Sequence, residues 1–141
     1  MSSTLDPIQA CRDDVAAQIQ AYRDLVGAAS KASGMSLTRI DAALATFEPA
    51  FFNNLLVALD ARWRAPLRER GVPLAGAIGE ARLLADALLA HGGVLTADAA
   101  VRYDADAALL RLDLGERVAL NAEDVETLAA ACLAELERAL G

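Results

Sequence analysis

The apolar positions of this chain recur mostly at three- and four-residue spacing, the repeat that lines up side chains on one face of a helix. The clearest run lies in residues 47–64, where Phe51, Phe52, Leu55, Leu56, Leu59 and Trp63 share one broad face. Pro49 reads as part of that helix's first turn, where a missing N–H is harmless. All three Phe residues and the only Trp fall in this stretch. Aromatic side chains bury the most area per residue, so the pattern predicts that this helix is the centre of the core.

Upstream, Asp6-Pro7 supplies a cap followed by proline at the first helical position. Ile8, Cys11, Val15, Ile19, Tyr22 and Val26 then predict a long amphipathic helix to about residue 32, stopped by Ser33-Gly34. Ser36-Leu37-Thr38 offers a new cap, and Ile40, Ala43, Leu44 and Phe47 predict a short helix ending before Pro49. Downstream the pattern breaks at Pro66, and the segment to Pro73 is charged and turn-like.

Residues 74–91 predict a further helix with Ile78, Ala81, Leu84, Ala85 and Leu88 on one face, widened by Leu83 and Leu89. A helix apolar on more than one side is either central or at a subunit contact. His91-Gly92-Gly93 closes it, since glycine adopts the left-handed cap conformation freely. From Val94 to Leu120 the helical period fades. Val101/Tyr103, Leu110/Leu112/Leu114 and Val118/Leu120 alternate, which predicts a small β-hairpin with Val101–Tyr103 as a third edge strand. Asn121 caps the last helix, with Glu123 and Asp124 in its first turn. Val125, Leu128, Cys132, Leu133, Leu136 and Leu140 form its apolar face. The chain thus reads as one mainly α domain over residues 1–141. It is expected to be a bundle of about four to five helices with a small β-hairpin or short sheet before the C-terminal helix.

Composition narrows the function classes. A chain of 141 residues buries enough surface to fold without disulfide or metal. A net charge of −7 argues against general nucleic-acid binding, which needs a basic footprint. Cys11 and Cys132 read as free buried thiols. The N-terminus lacks the basic start and apolar run of a signal peptide. No apolar stretch approaches the roughly 20 residues of a membrane span, so a soluble cytoplasmic protein without a membrane partner is expected. His91 is the only histidine and has no companions at metal-ligand spacing. Gly71, Gly76 and Gly79 form no phosphate loop or dinucleotide turn, and no nucleophile elbow is present. No cofactor or metal is expected, and the reading leans away from an enzyme.

Two polar features stand out. Asn53-Asn54 interrupts an otherwise strong helix former, and Asn competes there with the backbone for hydrogen bonds. Asn53 lies near Asp60 on the wheel, and Asn54 turns away from the Phe51/Leu55/Leu59 face. They read either as tolerated early-helix residues or as polar anchors in a pocket or helix contact. The second feature is Arg62, Arg64, Arg68 and Arg70, followed by Glu80 and Arg82. It reads as a solvated segment paired to nearby carboxylates, or as an anion site, since guanidinium forks bind carboxylate and phosphate bidentately. The candidate ligand-binding set is Arg64, Arg68, Glu80, Arg82, Asn53, Asn54 and Asp60. Helical spacing sets Glu80 and Arg82 about 200° apart, against a shared pocket.

Phe51-Phe52-Asn53-Asn54-Leu55, Leu59-Asp60, Gly92-Gly93-Val94-Leu95-Thr96 and Tyr103-Asp104 together resemble a family of small helical bacterial proteins with no established activity. The likeness runs from about Phe47 to the C-terminus. It also covers Trp63, Arg68, Glu80 and Arg82. The chain departs from the pattern in two places: Ala65-Pro66 replaces a His-Arg pair, and residues 71–76 replace a polar loop. The resemblance implies the same fold boundaries, and the departures count against an enzyme site in that loop.

The preferred expectation is a non-enzymatic protein acting through self-association, most simply as a homodimer, or through another protein partner. Its motive is the apolar breadth of residues 78–89 and the Leu-rich C-terminal helix. The alternative is a small-anion or metabolite binder, or an enzyme on such a substrate, using the Arg68/Glu80/Arg82 region.

Overall fold

The computed structural model describes residues 5–31 and 36–141. Its helices are α1 (Leu5–Ser30), α2 (Ser36–Glu69), α3 (Gly76–Ala90) and α4 (Ala122–Leu140). Helix α4 runs antiparallel to α1, with Arg12 pairing Glu137 and Arg23 pairing Glu126. Helix α2 runs back along α1, with Arg62 on Asp14 and the Tyr22 hydroxyl donating to Glu48. Every pair of helices is in contact except α1 and α3, so α2 and α4 form the inner diagonal.

The core is built from the predicted stripes. Ile8, Cys11, Val15 and Ile19 of α1 meet Phe52, Leu55, Leu56, Leu59 and Trp63 of α2, with Val125, Leu128, Leu133 and Leu136 of α4 beside them. The apolar breadth of α3 is consumed within the chain: Ile78, Ala81, Leu83, Leu84, Ala85 and Ala87 are all buried. The surplus surface expected on residues 78–89 therefore shrinks to Leu89, which is exposed. Cys11 and Cys132 are free and buried. Burial, then Glu135, holds the Cys132 thiol well above the ordinary thiol range, and the thiol donates to the Ala77 carbonyl.

Three expectations are corrected. Helix α2 is one continuous rod through Pro49 and Pro66, not two helices and a turn. Each proline leaves the carbonyl four residues earlier without its helical partner. Those residues, Ala45 and Arg62, are exposed, so water can meet the freed groups. The helix ends at Gly71 (φ 64°) with paired bonds from Gly71 N to Arg68 O and from Val72 N to Leu67 O, a Schellman closure. The stop at Ser33-Gly34 lies outside the described residues.

Second, no strand forms among the described residues. In place of a hairpin, residues 91–121 are an irregular connection carrying two isolated bridges, Leu74 with Val101 and Val94 with Arg117. Leu95 N, Gly115 N and Val118 N donate to the Glu116, Leu95 and Gly93 carbonyls, pairing the two ends of the connection without a ladder, while three other donors go to helix side chains. Glu80, buried on α3, accepts from Leu109 N and Leu110 N, both at 2.9 Å. Asn53 accepts from Leu120 N and donates to Val118 O. The Tyr103 hydroxyl donates to Leu112 O. Burial first, with Glu80 next, pushes the Tyr103 phenol up to about 12.

Third, α2 contains a stretch, Thr38–Glu69, long and apolar enough by length and composition to cross a membrane, which the sequence reading did not expect. Mostly buried core helices pass the same test, but only 22% of the tested window of α2 is buried. Its Asp60, Arg62 and Arg64 are ion-paired to neighbouring helices or within α2.

Helix α3 borrows its cap. Ala75 at the N-cap offers no side-chain acceptor. The Glu135 carboxylate of α4 takes Ala77 N at 2.9 Å and Ile78 N at 3.1 Å in its place. The short α3–loop approach depends on Gly79, where a Cβ would lie 2.9 Å from the Leu74 backbone. Glu135→Ala is expected to cost about 1–2 kcal/mol of stability, the range of a lost cap. Urea unfolding measures it, and an unchanged midpoint would show that α3 does not rely on this carboxylate.

Candidate functional site

Asp60, Arg64 and Arg68 recur at four-residue spacing on α2, and Arg82 and Asp86 do so on α3. The two helices pack so that these ladders meet. Asp60, 7% exposed, sits at the centre. Arg64 Nε donates to Asp60 Oδ2 at 2.6 Å and Arg64 Nη2 to Asp86 Oδ1 at 2.7 Å. Arg82 Nε donates to Asp60 Oδ1 at 2.9 Å. Both Asp60 oxygens are therefore engaged by different helices. Burial works against the Arg64 charge, but the bonds to Asp86 and Asp60 outweigh it and raise its pKa.

Beside this cluster opens a cleft of about 310 Å³ lined by Arg64, Leu67, Arg68, Val72, Leu74 and Arg82. Arg68 has no carboxylate within ion-pairing distance among the described residues. Thus Asp60, Arg64, Arg68 and Arg82 of the predicted set come together. Glu80 does not join them; it faces the connection before α4, as its spacing from Arg82 required. Asn53 clamps that connection, and Asn54 is exposed. The cleft's apolar walls, Leu67, Val72 and Leu74, were not in the set. The Schellman ending that carries Val72 was their one available signal. Next to the cluster, the buried Trp63 indole N–H lacks an acceptor among the described residues. No group of metal-ligating side chains occurs among them either.

A second feature is at the opposite end of α2. Asn53 is tied to Leu120 at the entry to α4, so the part of α2 before it reaches about 25 Å beyond that level. Alongside it runs the end of α1. No described residue from Gln20 to Lys31 or from Thr38 to Phe51 is fully buried. The apolar stripes nevertheless continue through both segments. Leu25 (48% exposed), Val26 (36%) and Phe47 (42%) lie open. Phe47 stacks on Phe51 at 5.2 Å and on Tyr22 at 6.4 Å, extending the aromatic cluster outward from buried Phe52. Burial, then the Glu48 hydrogen bond, pushes Tyr22 up to about 12. These two segments form a helical arm whose apolar side the other described residues leave open.

Compared with known proteins, the chain matches no family model, no curated protein and no solved structure.

Proposed function

We propose that this chain is a non-enzymatic association protein whose first partner is a second copy of itself, joined through the α1–α2 arm. The carrying observation is that the stripe Ile8, Cys11, Val15, Ile19, Tyr22, Val26 runs from complete burial to exposure without changing chemistry. A helix keeps an apolar stripe where something covers it. Within the chain, α4 supplies that cover only as far as Arg23, which pairs with Glu126 in the second turn of α4.

A second copy is the fitting occupant because the arm is half of a familiar solution. Two antiparallel helices leave one face open, and two such pairs face to face make a four-helix bundle around a shared core. The arm's face is about 20 Å long and about 20 Å wide, smaller than the ~800 Å² per partner of a standard interface and suited to association at the weak end of the range. Lipid is the poorer occupant. Inserting α2 means exposing or dragging in Asp60 and Arg64, whose partners lie on α2 and α3.

Light scattering at tens of micromolar, a range set by ordinary interface affinities, should give twice the 14.8 kDa chain mass. The double variant Leu25→Glu with Phe47→Glu should give a monomer with unchanged helicity. A monomeric parent chain at about 100 μM, or a dimer that survives both substitutions, would overturn the reading. So would recruitment to neutral lipid vesicles lost in the same double variant.

A further inference from the structure

We infer that the cleft between the end of α2 and the start of α3 binds a small organic monocarboxylate, its carboxylate held by Arg68 and Arg82 and its apolar body against Leu67, Val72 and Leu74. Arg82 makes the strongest case. Its side chain is only 14% exposed, yet the single protein bond it makes among the described residues is from Nε to Asp60. A guanidinium carries five donors in a fixed fork, and the terminal pair of Arg82 is left over. Asp60 holds Nε and so fixes the plane of that fork. The cleft that Arg82 lines is the space those donors can address.

Arg68 lines the same cleft, and no carboxylate pairs with it among the described residues. Arg64 is different: its Nε and one Nη are already spent on Asp60 and Asp86. It acts as a positioning residue that keeps Asp60 in place for Arg82. The charge count selects the ligand. Three guanidiniums stand against the carboxylates of Asp60 and Asp86, leaving one positive charge over. A single carboxylate neutralises that excess, whereas a phosphate dianion overfills it. A volume of about 310 Å³ is within the range of small-molecule pockets. Leu67, Val72 and Leu74 call for an apolar body rather than a bare ion.

The cleft is separate from the association arm and needs no second copy, so either reading can fail alone. The test is a titration of the full chain followed by backbone amide NMR, with hexanoate as probe, hexanamide as its neutral twin and inorganic phosphate as the competing anion. Hexanoate should give saturable shifts confined to residues 64–74 and the turn around Arg82, and hexanamide none. Arg68→Gln touches no ion pair among the described residues, so its spectrum should otherwise match the parent. It should weaken hexanoate binding at least about tenfold, the loss expected for a charge-assisted pair. Arg68→Glu should abolish binding. No saturable shift, equal binding of hexanamide, tighter binding of phosphate, or full affinity in Arg68→Gln would each overturn the assignment.

Discussion

Asp60→Ala is expected to lower the unfolding free energy by about 3–5 kcal/mol, the cost of breaking a buried ion pair by removing one partner. The reason is what it leaves behind. Arg82, mostly buried, would lose the one acceptor that it has among the described residues, and Arg64 would keep only Asp86. Desolvation of the stranded Arg82 charge, rather than loss of attraction, dominates the penalty. Two further variants separate the terms. Asp60→Asn keeps one acceptor oxygen but no charge and should fall between. The pair Asp60→Leu with Arg82→Met removes both charges and should recover much of the loss, because buried pairs contribute little net stability over apolar replacements. Urea unfolding gives all three values. A loss under about 1 kcal/mol for Asp60→Ala, the scale of a surface pair, would show that the cluster is solvated and structurally idle.

Glu80→Ala should cost about 3 kcal/mol by a different route, two charge-assisted bonds being lost together. The carboxylate is 3% exposed and accepts from two consecutive backbone amides, Leu109 and Leu110. Without it those N–H groups have no partner in the helix surface beneath them. Glu80→Gln should lose roughly half as much, since a carboxamide keeps one acceptor oxygen. Amide exchange at Leu109 and Leu110 should accelerate in both variants, and more in the alanine. If exchange there is unchanged while stability falls, Glu80 supports the core by packing and not by holding the connection.

The parts of this fold that were legible in the sequence are those set by neighbours in the chain. Asn121 with Asp124 three residues on forms the capping box that starts α4, and Gly92-Gly93 follows His91, the C-cap of α3. The continuous α2 was not legible, because Pro49 and Pro66 are strong local stop signals. They are overridden by an apolar face that runs from Phe51 to Leu67 across the core. The hairpin expectation failed for a related reason. Alternation at Leu110, Leu112 and Leu114 fits a strand, but the donors at Leu109 and Leu110 belong to a carboxylate some thirty residues earlier. For the site, Asp60, Arg64, Arg68 and Arg82 were all singled out, but the expected break at Pro66 put Arg68 in a turn, and only the continuous α2 sets it on one face with Asp60 and Arg64. Only the packing of α2 on α3 shows that Arg82 and Asp86 complete the set and that Glu80 does not.

Helix α2 carries the arm near its first residues and the arginine cleft near its last, about 30 Å apart along one rod. A dimer joined at the arms would therefore display two clefts pointing outward at its far ends, each unobstructed by the other copy. Such a molecule is bivalent. Free monocarboxylates would fill its clefts independently, but carboxylates tethered to a common surface or polymer would be gripped at both ends. The second capture would then be governed by an effective concentration rather than by the affinity of either cleft alone.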